Sequence, residues 1–165
     1  MKEKEIKTLI KVCDYEELSA EDRELVDAAK AMTRSSYAPY SRFHVGAAIR
    51  MDGGGIVTGS NQENAAYPSG TCAERTAAYW ASAQYPGVAM KKIAIAAWTR
   101  LHKDKSEPDE ECFQRLPISP CGACRQALLE YEALYGDIEV ILYGLDCVYV
   151  LPSVKSLLPL SFTEF

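Results

Sequence analysis

The chain has 165 residues, of which 48% are hydrophobic and 25% charged, and it carries a net charge of −5. That size and balance fit one soluble globular domain with a core of its own, and the acidity excludes a protein that grips a nucleic-acid backbone through a basic face. A nucleobase or nucleoside, which carries no phosphate, is not excluded.

In chain order, EIKTLIKV (5–12) alternates as a short strand, with Ile6, Thr8, Ile10 and Val12 on one side, although Ile6, Leu9 and Ile10 also fit a helix. Its lysines interrupt any apolar run, so no signal peptide is expected. No stretch reaches the 18 apolar residues of a membrane span, and the expected location is cytoplasmic. There the six cysteines are thiols or metal ligands rather than disulfides. Ser19 is an N-cap followed by acidic residues, and Leu25, Ala28, Ala29 and Met32 recur at helical spacing, which predicts a helix to about Arg34. FHVGAAIR (43–50) and GIVTGS (55–60) read as strands joined by a glycine-rich hairpin turn. Residues 61–71 read as a loop, AERTAAYWASAQY (73–85) as a helix stopped by Pro86, and KKIAIAAW (91–98) as a buried strand. The polar stretch 100–117 is a loop or insert. GACRQALLEYEAL (122–134) is a third helix, EVILYG and CVYVL are the last strands, and a short helix precedes Pro159. The order predicts an α/β fold, with helices on both faces of a mixed sheet.

Three cysteines stand out. Cys72 lies just before the second helix, and Cys121 and Cys124 lie in the first turn of the third. A helix N-terminus favours anions, lowers thiol pKa and so favours the thiolate that zinc binds. Three protein ligands leave zinc a position for water, as catalytic sites do. Glu74, two residues after Cys72, is placed to carry protons without ligating the metal. Three thiolates and one Zn²⁺ leave a net negative charge, which Arg75 or Arg125 would offset by a hydrogen bond to a sulfur.

These residues resemble the zinc-dependent cytidine deaminases, whose pattern is H/C-x-E followed by P-C-x-x-C. More narrowly, YAPYSRFHVGAAI (37–49), GSNQENAAYPSGTCAERTAA (59–78), SPCGACRQAL (119–128) and LLPLSF (157–162) are similar to the small homotetrameric members. The resemblance implies a three-layer α-β-α sandwich around a mixed five-stranded sheet, in a single domain over 1–165 with an N-terminal extension at about 1–18 and an insert at about 100–117. It implies one Zn²⁺ per chain on Cys72, Cys121 and Cys124, with Glu74 as proton shuttle. Asn61 and Glu63 would hold the ribose hydroxyl, Phe43 would lie against the base or sugar, and the Ala73 backbone would read the pyrimidine. Ala65, Tyr67 and Phe162 would come from a neighbouring subunit. The implied reaction is attack of zinc-activated water on C4 of cytidine or 2′-deoxycytidine, with ammonia leaving, in pyrimidine salvage. His44 departs from the family's pattern, standing where proline is common.

Other readings stay open at this point. A closed zinc site could take its fourth ligand from Cys112, His102 or Cys147, and CGAC alone could be a redox dithiol. A related deaminase of another cytosine nucleoside, such as blasticidin S, and a non-enzymatic zinc-stabilised interaction domain are the functional alternatives.

Overall fold

The computed structural model describes residues 1–99 and 110–163. Its elements are β1 (Lys11–Cys13), α1 (Ala20–Met32), β2 (Phe43–Met51), β3 (Ile56–Ser60), α2 (Ala73–Gln84), β4 (Met90–Thr99), α3 (Gly122–Tyr135), β5 (Glu139–Tyr143) and β6 (Val148–Leu151). The strands form one sheet in the order β1-β6-β5-β4-β2-β3, and only β4 and β5 run parallel. The expected five strands are therefore six. The additional one comes from the N-terminal extension, which pairs antiparallel with β6 over Lys11–Cys13.

That edge strand is shorter and later than the alternation of residues 5–12 suggests. It pairs with three of the four residues of β6, Val148–Val150. Ile6, Leu9 and Ile10 have no strand to join and stay exposed. The polar insert falls mostly on residues 100–109, outside the described residues. Its end, Glu110–Cys112, is a 3-10 turn that leads Phe113 into a bridge with Trp98.

Two cores fill the layers. On one face α2 and α3 cover Ala47, Ile49, Ile93, Ile95, Val140 and Leu142. On the other α1 lays Leu25, Val26 and Ala29 over Ala48, Ala94 and Ala96. α1 is capped as its sequence indicates, with the Ser19 hydroxyl accepting from the Asp22 amide at 3.1 Å. His44, the departure from proline, stacks its ring on Trp98 with centroids 4.3 Å apart.

The helices sit close to the sheet because two strand glycines let them. A Cβ on Gly59 would fall 2.5 Å from the Ala77 amide nitrogen, and one on Gly46 would fall 2.1 Å from the Ala29 carbonyl oxygen. Gly59 thus fixes how near α2, whose N-terminus carries Cys72, approaches β3. Gly59→Ala forces backbone away from backbone, and overpacking of this kind should lower unfolding stability by about 2 kcal/mol, read as a shifted urea midpoint.

Candidate metal and active site

Both cysteine-bearing helices start at one place. Cys72 is the N-cap of α2 and Cys121 the N-cap of α3, each with extended backbone and neither using its side chain as a cap. The sulfurs are thus free to turn toward each other rather than onto the helix amides. The Sγ atoms of Cys72 and Cys121 are 3.9 Å apart, those of Cys121 and Cys124 are 3.4 Å apart, and all three lie within 4.8 Å of one another.

This geometry tests the metal directly. Tetrahedral zinc with Zn–S near 2.3 Å requires sulfurs about 3.8 Å apart. Cys72 and Cys121 fit that spacing, and Cys121 and Cys124 need to part by only a few tenths of an ångström to reach it. No other Cys, His, Asp or Glu among the described residues joins them. Cys112 packs instead against the core on the α1 face. Among the described residues the donor set is three thiols, which suits a site with one open position; His102 lies outside them.

Glu74 is the second residue of α2 and only 4% exposed. Burial pushes its carboxyl above the ordinary range, the neighbouring Cys72 adds to the rise, and a hydrogen bond with the Cys124 thiol opposes it. A carboxyl so placed beside the sulfurs is suited to gaining and losing a proton. Arg75, one residue on, points Nη2 at the Cys72 sulfur from 3.9 Å. Arg125, the other candidate for that task, does something else. Its guanidinium donates to the Pro120 carbonyl at 2.7 Å, the Leu157 carbonyl at 2.8 Å and the Ser119 hydroxyl at 2.9 Å.

The thiols of Cys72 and Cys124 are pushed in opposite directions. A hydrogen bond from Cys124 is the largest influence on Cys72, and with Arg75 and Cys121 it brings the Cys72 thiol down to about 5, while the Cys124 thiol is driven up by the same contact and by burial. Cys72 should therefore be a thiolate at pH 7 in zinc-stripped protein. Thiolate absorbance near 240 nm should persist as pH falls and disappear only near pH 5, and Cys72→Ala should remove it. A cluster that ionises only above pH 8 would contradict this.

A cleft of ≈ 260 Å³ opens beside Cys72 and is lined by Tyr40, Asn61, Gln62, Glu63, Asn64, Tyr67, Gly70, Thr71 and Arg75. Arg42, with φ 58°, turns the chain back ahead of β2 through the left-handed region. In the segment just before it, the amides of Tyr40 and Ser41 donate to Glu63 Oε2 at 2.8 and 3.3 Å. Desolvation is the largest influence on Glu63 and raises it, but a hydrogen bond from the Ser41 side chain, joined by the two amide bonds, holds the carboxyl below its usual range. Asn61 ties the loop to β2. Its Nδ2 donates to the Phe43 carbonyl at 2.9 Å and its Oδ1 accepts from the Val45 amide at 2.8 Å.

The structure thus brings Cys72, Asn61, Glu63, Tyr67 and Arg75 to one cleft. Ala73 is buried at the start of α2, and Phe43 leans on the core of the α2/α3 face. Ala65 is exposed in the loop that leads to Tyr67, itself 79% exposed. Phe162 lies on α3, where its carbonyl accepts from Gln126 Nε2 at 2.8 Å. Sequence reading missed the Tyr40 and Ser41 amides that orient Glu63. The motif around Tyr40 was visible, but main-chain donors have no sequence signature. No helix among the described residues is long and apolar enough to cross a membrane.

Known proteins match this arrangement. The family model described as the cytidine and deoxycytidylate deaminase zinc-binding region matches residues 19–135. A cytidine deaminase of Sporosarcina psychrophila is 36% identical over 141 residues, 85% of this chain and 90% of that protein. A probable cytidine deaminase of Dictyostelium discoideum is 35% identical over 139 residues, 84% of this chain and 82% of that one. Among solved structures, the crystal structure of cytidine deaminase from Burkholderia pseudomallei aligns with a TM-score of 0.67 at 39% identity, covering 84% of this chain and 97% of that one. That of Mycobacterium tuberculosis cytidine deaminase aligns with a TM-score of 0.64 at 28% identity, covering 88% and 100%.

Proposed function

The chain belongs to the zinc-binding cytidine and deoxycytidylate deaminase family, and from that premise we propose that it hydrolyses free cytidine and 2′-deoxycytidine to the corresponding uridines, releasing ammonia. The observation that carries this reading is a single cleft lined by Asn61, Glu63 and Cys72, the last of which belongs to the three-cysteine cluster, with the buried carboxyl of Glu74 beside the sulfurs.

Cys72, Cys121 and Cys124 would hold the zinc, which when bound supplies a Lewis acid that brings the pKa of water toward neutrality. Glu74 accepts a proton from the attacking water and delivers it to N3 as oxygen bonds to C4. It then carries the second proton to the amino group, and the C4–N bond breaks to leave the uracil carbonyl and ammonia. Burial favours the protonated state that the carboxyl passes through between these transfers.

Arg75 offsets the charge of the thiolates through Cys72. Glu63 Oε2 is engaged by Tyr40 and Ser41, and Oε1 is the oxygen we assign to a ribose hydroxyl. Asn61 keeps that loop and Phe43 in register. The first amides of α2, beginning at Ala73, have no partner within the helix and suit the pyrimidine's amide edge.

We assign the assembly as a homotetramer in the cytoplasm, serving pyrimidine salvage. The exposed Tyr79 and Trp80 on α2, with the exposed Tyr67 and Phe162, support an assembly of copies, in which Ala65, Tyr67 and Phe162 would be the cross-subunit contacts. Light scattering should find four chains per particle.

The functional test is loss of cytidine absorbance with zinc-loaded protein. Cytidine and 2′-deoxycytidine should be consumed with stoichiometric ammonia, and free cytosine, which lacks the sugar for Glu63, should react far more slowly. No consumption of either nucleoside by protein shown to hold zinc would overturn the reading.

A further inference from the structure

The first turn of α3 carries more than two sulfurs. Arg125 follows Cys124 directly, and its guanidinium bonds two separate segments at once. It holds Ser119 Oγ and the Pro120 carbonyl, the peptide that leads into Cys121, and it also holds the Leu157 carbonyl. Leu157 ends the 3-10 turn Val154–Leu157, from which the C-terminal tail departs. Gln126, the next residue, takes the tail again at the Phe162 carbonyl. Residues 158–161 therefore run between two anchors that both belong to the cysteine helix.

We propose that Arg125 is a positioning residue that locks the C-terminal tail to the cysteine loop, so that metal occupancy of the cluster and the course of the tail are linked. The physical basis is the guanidinium itself. It is planar, permanently charged and presents its donors in a fixed fork, so a shift of the Pro120 carbonyl is passed to the Leu157 carbonyl through one rigid group. A lysine has a single flexible ammonium and cannot hold the three acceptors in that arrangement. The opposite end of the 3-10 turn is fixed independently by Glu132, which accepts from the Val154 and Lys155 amides at 2.6 and 2.9 Å. The exit of the tail is held by Arg125 and Gln126, beside the packing of Leu158 on the core. Because the tail carries Phe162, Arg125 also sets where that ring is offered to a nucleoside site. This last consequence rests on the deaminase reading above, whereas the linkage between metal and tail does not.

The test is hydrogen–deuterium exchange of the full chain, zinc-loaded and chelator-treated, in wild type, Arg125→Ala and Arg125→Lys. In the wild type, removing zinc should speed exchange of the Leu158 amide, which donates to the Lys155 carbonyl next to the point Arg125 holds, by roughly tenfold, the scale of one charge-assisted hydrogen bond. In both variants that amide should exchange fast with or without zinc. Slow exchange in β4 and α1 should be unchanged, which identifies an intact fold. In turnover, Arg125→Ala should raise KM for cytidine with little change in kcat. In a chain that already carries Phe162→Ala, the same change should add no further rise. A wild-type tail indifferent to zinc, or an Arg125→Ala tail that still responds to it, would overturn the proposal. A wild type that shows the exchange response but no cytidine turnover would instead overturn the deaminase reading and leave the linkage standing.

Discussion

Glu74→Gln should abolish turnover while leaving the metal in place. Glutamine matches the volume of glutamate and keeps an acceptor oxygen, so the packing of a residue only 4% exposed is preserved. None of the three sulfurs is touched, and zinc content should remain at one per chain. What is lost is the ability to take up and give back a proton. Positioned acid–base groups contribute about 10²–10⁴-fold, and here one carboxyl serves water, N3 and the leaving amine in turn, so a fall of at least ~10³-fold is expected. That corresponds to roughly 4 kcal/mol of transition-state stabilisation. Elemental analysis and cytidine absorbance on the same sample read both halves of the claim. Activity within tenfold of wild type would remove Glu74 from the chemistry. Loss of zinc in step with activity would make it a structural support of the cluster instead.

The cluster was legible in the sequence because its signals are local. Cys72 and Cys121 stand at helix starts that the following residues announce, and Glu74 lies two residues on. The β2–β3 hairpin and the cores under α1, α2 and α3 follow from periodicity in the same way. What was not legible depends on partners far along the chain. Arg125 stands next to a metal ligand, which suggests a thiolate contact, yet its partners include a carbonyl 32 residues away. β1 falls at Lys11–Cys13 because that is where the chain meets β6, a partner that no pattern within residues 5–12 encodes. Asn61 presented itself as a ribose contact, and its bonds to Phe43 and Val45, which hold the loop against β2, come from strand neighbours that the motif does not name. Local chemistry marks the reactive groups, whereas the groups that hold them steady are chosen by the tertiary structure.

Glu132 is the strongest case of the second kind, and Glu132→Ala should be strongly destabilising. It stands in the last turn of α3 and is only 3% exposed. Its Oε2 accepts from the Ile138 amide at 3.0 Å and the Val154 amide at 2.6 Å, and its Oε1 from the Lys155 amide at 2.9 Å. One carboxylate thus satisfies the entry to β5 and the N-terminus of the 3-10 turn after β6. An acidic residue near a helix C-terminus is electrostatically disfavoured, so its place there is explained by these three donors rather than by the helix. Alanine would leave them buried without an acceptor, at about 1–3 kcal/mol each, and a total loss of roughly 4 kcal/mol is expected, since Lys155 can recover water. Glu132→Gln retains one acceptor oxygen and should lose about half as much on the same grounds. Urea unfolding should show both midpoints lowered with the m-value unchanged. Because the 3-10 turn also carries the Leu157 carbonyl that Arg125 holds, the glutamine variant should additionally loosen the tail and raise KM for cytidine before it affects kcat. A glutamine variant of wild-type stability would mean that water can replace the carboxylate, and the account of α3 as the anchor of the C-terminal segment would fail with it.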